Sequence, residues 1–285
     1  MWKPGDHSRY SKDKPLLGLT ESAILAASQA RVSGVKKQDS LSSAVNPFHN
    51  PEDHDIPTRD GTTRIGVYRP KAFVDSQQRG PLIVIYHAGG FCLGNDTMAD
   101  ANESKFHRRF GATCVSVDYR LAPEHQFPAA AHDSWDNLKW VVANPDGPLL
   151  TADPTKGFIL SGMSAGDTLA GRKRLTAIDE KWKDELLWFE QNKDAPILSL
   201  GGVDLLARSY NADIDSPLHN VLLNPTGHTD TPPHFIQVAG LDPVRDTGIF
   251  TSESLERNTE FRLGSPSMLV KPMRFGPFCP KCPHR

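Results

Sequence analysis

The sequence has little of what marks several classes of protein. Only four cysteines occur among 285 residues, too few and too scattered for a disulfide framework. Neither sign of charge is in excess, with 32 basic against 34 acidic residues, so we expect no nucleic-acid partner. No apolar run approaches the roughly 20 residues that span a bilayer. The amino terminus lacks the apolar stretch of a signal peptide, so we expect a cytoplasmic location.

One cysteine pair has the spacing of metal ligands. Cys279 and Cys282 are separated by two residues, and His284 follows them. Structural zinc takes four ligands, and the sequence offers no matching second half of such a site. We therefore expect no metal.

Short apolar runs separated by helical patterns indicate an α/β fold. A parallel sheet covered on both faces has strands of this kind, because neither side of the strand meets water. The Asp60-Gly61 turn pair indicates a β-hairpin between Asp55 and Pro70. The runs that predict buried strands are residues 82–86, 113–117, 158–160 and 235–238.

A regular helix is expected between the second and third of these runs. Its apolar residues recur at intervals of three and four and predict one buried face between Pro128 and about Asn144. These residues are Phe127, Ala131, Trp135, Leu138 and Val142.

The organisation expected is a single domain of 285 residues. Residues 1–54 form an amino-terminal arm or lid, with one helix from Glu21 to about Val35 capped by Thr20. Residues 55–180 and 234–285 form the core. Residues 181–233 interrupt it as a lid insertion, which begins with a short amphipathic helix and continues as loops.

The residues around Ser164 predict a nucleophile elbow. Gly162-Met163-Ser164-Ala165-Gly166 follows an apolar run and precedes a segment able to form a helix. Glycines two before and two after the serine suit a turn in which side chains would collide with the flanking strand and helix. A plain strand–turn–helix corner is the alternative.

Three more stretches agree with a nucleophile elbow at Ser164. Gly89 and Gly90 follow a buried strand and leave two backbone N–H groups approachable, as an oxyanion hole requires, and Ala165 would supply a third donor. A glycine turn with a structural histidine, His87, is the alternative there. Asp242 follows the last run, where its carboxylate can orient an imidazolium or cap a helix. The third stretch is Tyr119–Ala130.

Together these stretches resemble the hormone-sensitive-lipase-like branch of the α/β-hydrolase family, in the family's order, from about Asp55 to Asp246. The resemblance implies a mostly parallel, eight-stranded sheet with a lid and hydrolysis of small or medium carboxylic esters without a cofactor. It makes Ser164 the nucleophile and Asp242 the triad acid. Gly89, Gly90 and Ala165 become the oxyanion donors, and His87 supports the oxyanion loop.

Two features depart from that pattern. The family's catalytic histidine follows the acid after one more strand, but only His284, next to the carboxyl terminus, lies downstream of Asp242. The family also has a buried strand between the elbow helix and the insertion, and no apolar run stands there. The sequence therefore predicts the loss of one core strand and of the carboxyl-terminal end. Other candidates for the base are His125, His132, His228 and His234.

Three interpretations stay open. The chain is an esterase, or a non-catalytic ligand-binding protein on the same fold, as the gibberellin receptors are, or the product of a truncated or misread gene.

Overall fold

The computed structural model describes two compact units. One consists of Thr20–Gly171 with Leu205–Asp213, and the other contains Arg172–Asp204 and Ile214–Arg285. Division of one domain into arm, core and insertion stays a prediction. The described residues are 21–32, 52–70, 78–99, 109–170, 191–193, 195, 198–220, 223, 225, 232–238, 242 and 244–249.

The first strands form the predicted hairpin. Strand β1 (Glu52–Thr58) pairs antiparallel with β2 (Gly61–Tyr68), and Thr58 lies opposite Gly61. Gly61 has φ 135°, a conformation open to glycine and costly for other residues. The hairpin is confirmed, although it begins at Glu52 rather than Asp55.

A mixed five-stranded sheet occupies the unit that contains the hairpin. Its other strands are β3 (Leu82–Tyr86), β4 (Thr113–Asp118) and β5 (Phe158–Gly162). The strands lie in the order β1-β2-β4-β3-β5, with β3 parallel to both of its neighbours and β2 antiparallel to both of its own. The described residues thus contain five of the eight strands that the resemblance implies.

The register of the parallel strands brings three loops to one edge. Tyr86 at the end of β3 lies opposite Val117 of β4 and Gly162 of β5. The residues that follow these strands therefore emerge side by side, at the carboxyl edge where open α/β sheets bind ligands. This edge carries the Gly-Gly loop (residues 87–93), the start of the Tyr119–Ala130 stretch and the Ser164 turn.

Burial on both faces is confirmed for β3 and β4 and is wrong for β5. All five side chains of β3 are buried, but Phe158 and Ile159 of β5 are 43 % and 49 % exposed. Strand β5 is the last strand of the described sheet and is paired on one side only. Residues 171–190, where we expect a missing strand, lie outside the described residues.

The strand predicted at residues 235–238 is also wrong. Described residues 232–238 are irregular apart from a single bridge residue, Val238. Phe235 is 62 % exposed, whereas Ile236 is buried. A short apolar run does not by itself supply the hydrogen-bonded neighbour that makes a strand, so its pattern is ambiguous.

Helix α2 (Ala129–Ala143) follows β4 as predicted, but it buries the other face. Trp135 and Val142 are more than half exposed, and Asp133 and Asn137 are fully buried. Bonds to other parts of the chain stabilise the buried polar face: Arg120 binds Asp133, and the Asn137 Nδ2 donates to the Thr63 hydroxyl. The three- and four-residue spacing marked the wrong face because it counts apolar residues and ignores such partners.

Three further helices are described in part or in full. Helix α1 (Glu21–Val32) buries Ile24, while Leu25 is half exposed, and residues 33–35 of the predicted helix lie outside the described residues. Helix α3 (Ala165–Leu169) follows the Ser164 turn. Helix α4 (Leu200–Tyr210) forms in the expected insertion, where we expected loops. The spacing of Leu200, Val203 and Leu206 indicates a helix, but the Gly201-Gly202 pair is typical of a loop and hid that pattern.

A buried carboxyl lies just beyond the Gly-Gly loop. The side chain of Asp96 is 3 % exposed and lies 3.6 Å from Arg64, whose hydrogen bond goes to Asp118. Burial and the nearby charge of Asp118 raise the pKa of Asp96 from 3.8 to about 6. Between those values the folded chain holds the Asp96 proton more tightly than the unfolded chain. The contribution of Asp96 to the free energy of unfolding therefore declines as the pH rises from about 4 to about 6, and it stays lower above pH 6.

We expect Asp96→Asn to raise the free energy of unfolding at pH 7.5 by about 2 kcal/mol and to flatten its dependence on pH between about 4 and 6. Urea unfolding across this pH range measures both effects. Asp53→Asn is the matched control, because Asp53 also faces Arg64, at 3.8 Å, but is 47 % exposed. We expect it to change stability by less than about 0.5 kcal/mol. An unchanged pH slope in Asp96→Asn would contradict the prediction.

Candidate active site

Ser164 occupies the turn between β5 and α3 in a rare backbone conformation. Its φ is 56° and its ψ is −112°, a combination that side chains beyond glycine rarely adopt because Cβ crowds the backbone. Such strain costs about 1–3 kcal/mol and persists only where surrounding structure enforces it. The sequence predicted a sharp turn at this position, and the structure places one there.

The two flanking glycines are required by contact. A Cβ on Gly162 would overlap the Gly166 carbonyl. A Cβ on Gly166 would overlap the Tyr86 carbonyl and would lie 2.6 Å from the carbonyl oxygen of His87. The turn is therefore pressed directly against the end of β3. The sequence pattern of two glycines around the serine follows from this packing.

The Gly-Gly loop leaves β3 through three successive positive φ angles, at Gly89 (126°), Gly90 (62°) and Phe91 (66°). The amides of Cys92 and Leu93 both donate to the Gly89 carbonyl, which closes the turn. Within the described part of the chain, no acceptor takes the Gly89, Gly90 or Ala165 N–H. These amides are the donors predicted from the sequence. The positive φ of Phe91 was not predicted, because the residue type gives no sign of it.

A residue from the insertion completes the surroundings of this loop. A Cβ on Gly90 would meet the Leu206 side chain at 2.5–3.0 Å, so α4 rests on the loop. Phe91 stacks on Tyr210 of the same helix, with ring centroids 3.9 Å apart. The sequence did not predict these contacts, because the helix itself was missed.

His87 is buried at the base of the Gly-Gly loop, 1 % exposed. Its Nδ1 lies 2.6 Å from the Ala88 carbonyl oxygen, which can only accept, so Nδ1 carries the proton. Burial lowers the pKa of His87, which is therefore a neutral ring at neutral pH. Its role as the support of the oxyanion loop stays a prediction.

Asp242 belongs to the other compact unit. Its Oδ1 accepts a hydrogen bond from the Val244 amide at 2.9 Å, and residues 245–249 are helical. Its main-chain oxygen accepts from the Asn192 side chain at 3.1 Å. Capping of a helix, one of the two roles considered for Asp242, is thus observed. Its pairing with an imidazole stays a prediction.

The catalytic base is not placed by the structure. Among described residues, neither the Ser164 hydroxyl nor the rings of His125 and His132 make a hydrogen bond. His234 lies in the unit of Asp242. His228 and His284 lie outside the described residues.

Metal-binding side chains are not clustered in the described ranges. No group of three or more metal-binding side chains occurs among them, and Cys279 and Cys282 lie outside them. No helix in the same ranges has the length and hydropathy needed to cross a membrane.

The chain belongs to the α/β-hydrolase family. A family profile described as "alpha/beta hydrolase fold" matches residues 83–188, which include the Gly-Gly loop and the Ser164 turn. An esterase of Pyrobaculum calidifontis superposes with a TM-score of 0.64 at 29 % identity, over 88 % of this chain and 80 % of that one. The fold class predicted from the sequence is confirmed.

Curated relatives include named esterases. An AB hydrolase superfamily protein of Schizosaccharomyces pombe is 37 % identical over 225 residues, covering 70 % of this chain and 66 % of that protein. The esterase LipI of Mycobacterium tuberculosis is 35 % identical over 209 residues, covering 66 % of this chain and 63 % of LipI. The chain thus spans slightly less than two thirds of either relative.

Proposed function

We propose that the protein is a serine hydrolase that cleaves carboxylic esters of small or medium acyl groups through an acyl-enzyme on Ser164. The observation that carries the proposal is the strained Ser164 backbone, enforced by two glycines that admit no Cβ. Backbone strain of this size clusters at functional sites. Similarity to named esterases supports ester hydrolysis as the reaction.

The proposed reaction has two halves. The Ser164 Oγ attacks the ester carbonyl carbon, and its proton passes through a base to the departing alcohol as the C–O bond breaks. The Gly89, Gly90 and Ala165 amides donate to the oxyanion of the tetrahedral intermediate. Water then attacks the acyl-enzyme, and the carboxylic acid and the free serine result.

Asp242 is the proposed triad acid, which would orient a histidine and stabilise its protonated form. The base is unassigned, and His284 is the candidate because it alone follows Asp242 in the sequence. The proposed substrate is a small ester, and the proposal includes neither a cofactor nor a nucleic-acid partner. A cytoplasmic location stays a prediction.

The test is hydrolysis of p-nitrophenyl acetate, butyrate and laurate by the purified full chain. We expect turnover of the two short esters above the Ser164→Ala blank and little of the laurate. His284→Ala, measured alongside, falls to the blank if His284 is the base. Folded protein that turns over none of the esters faster than the blank would refute the proposed function.

Ligand binding without turnover is the second candidate, favoured by the absence of a placed base among described residues. A binding protein would be inert in the same assay, yet a specific small molecule would raise its unfolding temperature. A truncated or misread gene product would show no cooperative unfolding transition.

A further inference from the structure

We propose that Tyr119 is a positioning residue that fixes the Gly-Gly loop through the carbonyl oxygen of His87. No step of the proposed reaction uses the Tyr119–Ala130 stretch, which is one of the stretches that carry the family resemblance. The inference rests on the proposed function insofar as the loop supplies oxyanion donors. It gives Tyr119, the first residue of that stretch, a role at the active site.

Tyr119 contacts His87 in two ways. Its hydroxyl donates to the His87 carbonyl oxygen at 2.8 Å. Its ring stacks on the His87 imidazole with centroids 4.2 Å apart and planes 6° from parallel. Tyr119 is 1 % exposed, so the hydrogen bond forms away from water, where leaving its carbonyl partner unmatched costs about 1–3 kcal/mol.

The same carbonyl lies at the junction of loop and turn. The position of a Cβ on Gly166 is 2.6 Å from the His87 oxygen, so this oxygen is held between the Tyr119 hydroxyl and the helix behind Ser164. A shift of the oxygen therefore moves the loop relative to the turn. Gly89 and Gly90 follow only two and three residues later along the chain.

A second tie holds the far side of the Gly-Gly loop. The Ala122 amide donates to the Phe91 carbonyl oxygen at 2.8 Å. Tyr119 and Ala122 thus clamp the loop on either side of Gly89 and Gly90. The clamp is anchored in turn, because Arg120, which directly follows Tyr119, is bound to Asp133 of α2 through its main-chain and side-chain nitrogens.

Loss of the Tyr119 hydroxyl is expected to affect the transition state more than substrate binding. Oxyanion donors act where negative charge develops, so their displacement lowers kcat and leaves KM nearly unchanged. We expect Tyr119→Phe to lower kcat about tenfold, since one oxyanion donor removed outright costs about 10²–10³, and to change KM less than about twofold.

Tyr86→Phe is the matched control. The Tyr86 hydroxyl is also buried and also donates to a main-chain carbonyl, that of Ser134, at 2.9 Å. It ties β3 to α2 and does not touch the Gly-Gly loop. A purely structural effect of a lost buried hydroxyl would appear equally in both variants, whereas positioning of the loop would appear in Tyr119→Phe alone.

The test combines kinetics with hydrogen exchange in the full chain. Mass spectrometry of a peptide covering residues 87–93 follows the Cys92 and Leu93 amides, which donate to Gly89. We expect faster exchange there in Tyr119→Phe, wild-type exchange in Tyr86→Phe, and the kcat loss in Tyr119→Phe alone. Equal kinetics and exchange in the two variants would overturn the proposal. If wild type matches the Ser164→Ala blank, the proposed function fails, and exchange alone decides the role of Tyr119.

Discussion

Ser164→Ala is expected to lower kcat/KM for p-nitrophenyl butyrate by about 10⁴-fold or to the limit of detection, because it removes the attacking oxygen. The residual activity would come from the backbone oxyanion donors and from substrate binding. Folding is expected to be intact, since the Ser164 hydroxyl makes no hydrogen bond to any described residue. The circular dichroism spectrum and urea midpoint of the variant check this.

Ser164→Gly separates backbone strain from chemistry. Both variants lack the hydroxyl, but only glycine adopts φ 56° without a Cβ clash. We expect Ser164→Gly to be about 1–2 kcal/mol more stable than Ser164→Ala in urea unfolding and equally inactive. Equal stabilities would show that the turn is not strained, and the observation that carries the proposed function would be lost.

Asp133→Ala is expected to destabilise the protein by about 3 kcal/mol. Its carboxylate is fully buried and accepts three hydrogen bonds from Arg120: from the main-chain amide at 3.0 Å and from Nε and Nη2 at 2.8 Å each. Removing it leaves the guanidinium with the exposed Asp60 as its remaining carboxylate at 3.2 Å. The Tyr119 clamp loses its anchor at the same time, so kcat should fall as well. Equilibrium urea unfolding measures the first effect.

Asp146→Ala is the control for that change. Asp146 faces Arg79 at 3.9 Å and is 77 % exposed, so the same substitution should cost less than about 0.5 kcal/mol. A loss in Asp133→Ala no larger than in Asp146→Ala would show that the Arg120 contact does not hold α2 and the Tyr119–Ala130 stretch together.

Local patterns predicted the hairpin, β3 and β4, because turn residues and short apolar runs carry most of the signal for buried strands. They predicted helix α2 but marked the wrong face as buried, because its buried face carries polar residues. Asp133 and Asn137 are buried because their side chains bond to Arg120 and Thr63, which lie outside the helix. The predicted burial of β5 was wrong for a related reason. Burial of this strand depends on a neighbouring element at its outer edge rather than on its own residues.

The sequence predicted those parts of the candidate site that steric rules determine. The glycines around Ser164 and in the Gly-Gly loop can be read from sequence because few other residues fit such turns. The hydrogen bond from Tyr119 to His87 spans 32 positions of the chain, and no local pattern encodes it. The catalytic roles of these residues remain proposals, and the base remains to be assigned.

Covalent trapping of Ser164 tests the central claim most directly. Diisopropyl fluorophosphate phosphorylates a serine that has been activated as a nucleophile, with loss of fluoride. We predict one adduct per chain in the intact mass, located by peptide mapping to Ser164 and absent from Ser164→Ala. Folded wild-type protein that gains no adduct, or gains it at another residue while Ser164 stays unmodified, would contradict the account.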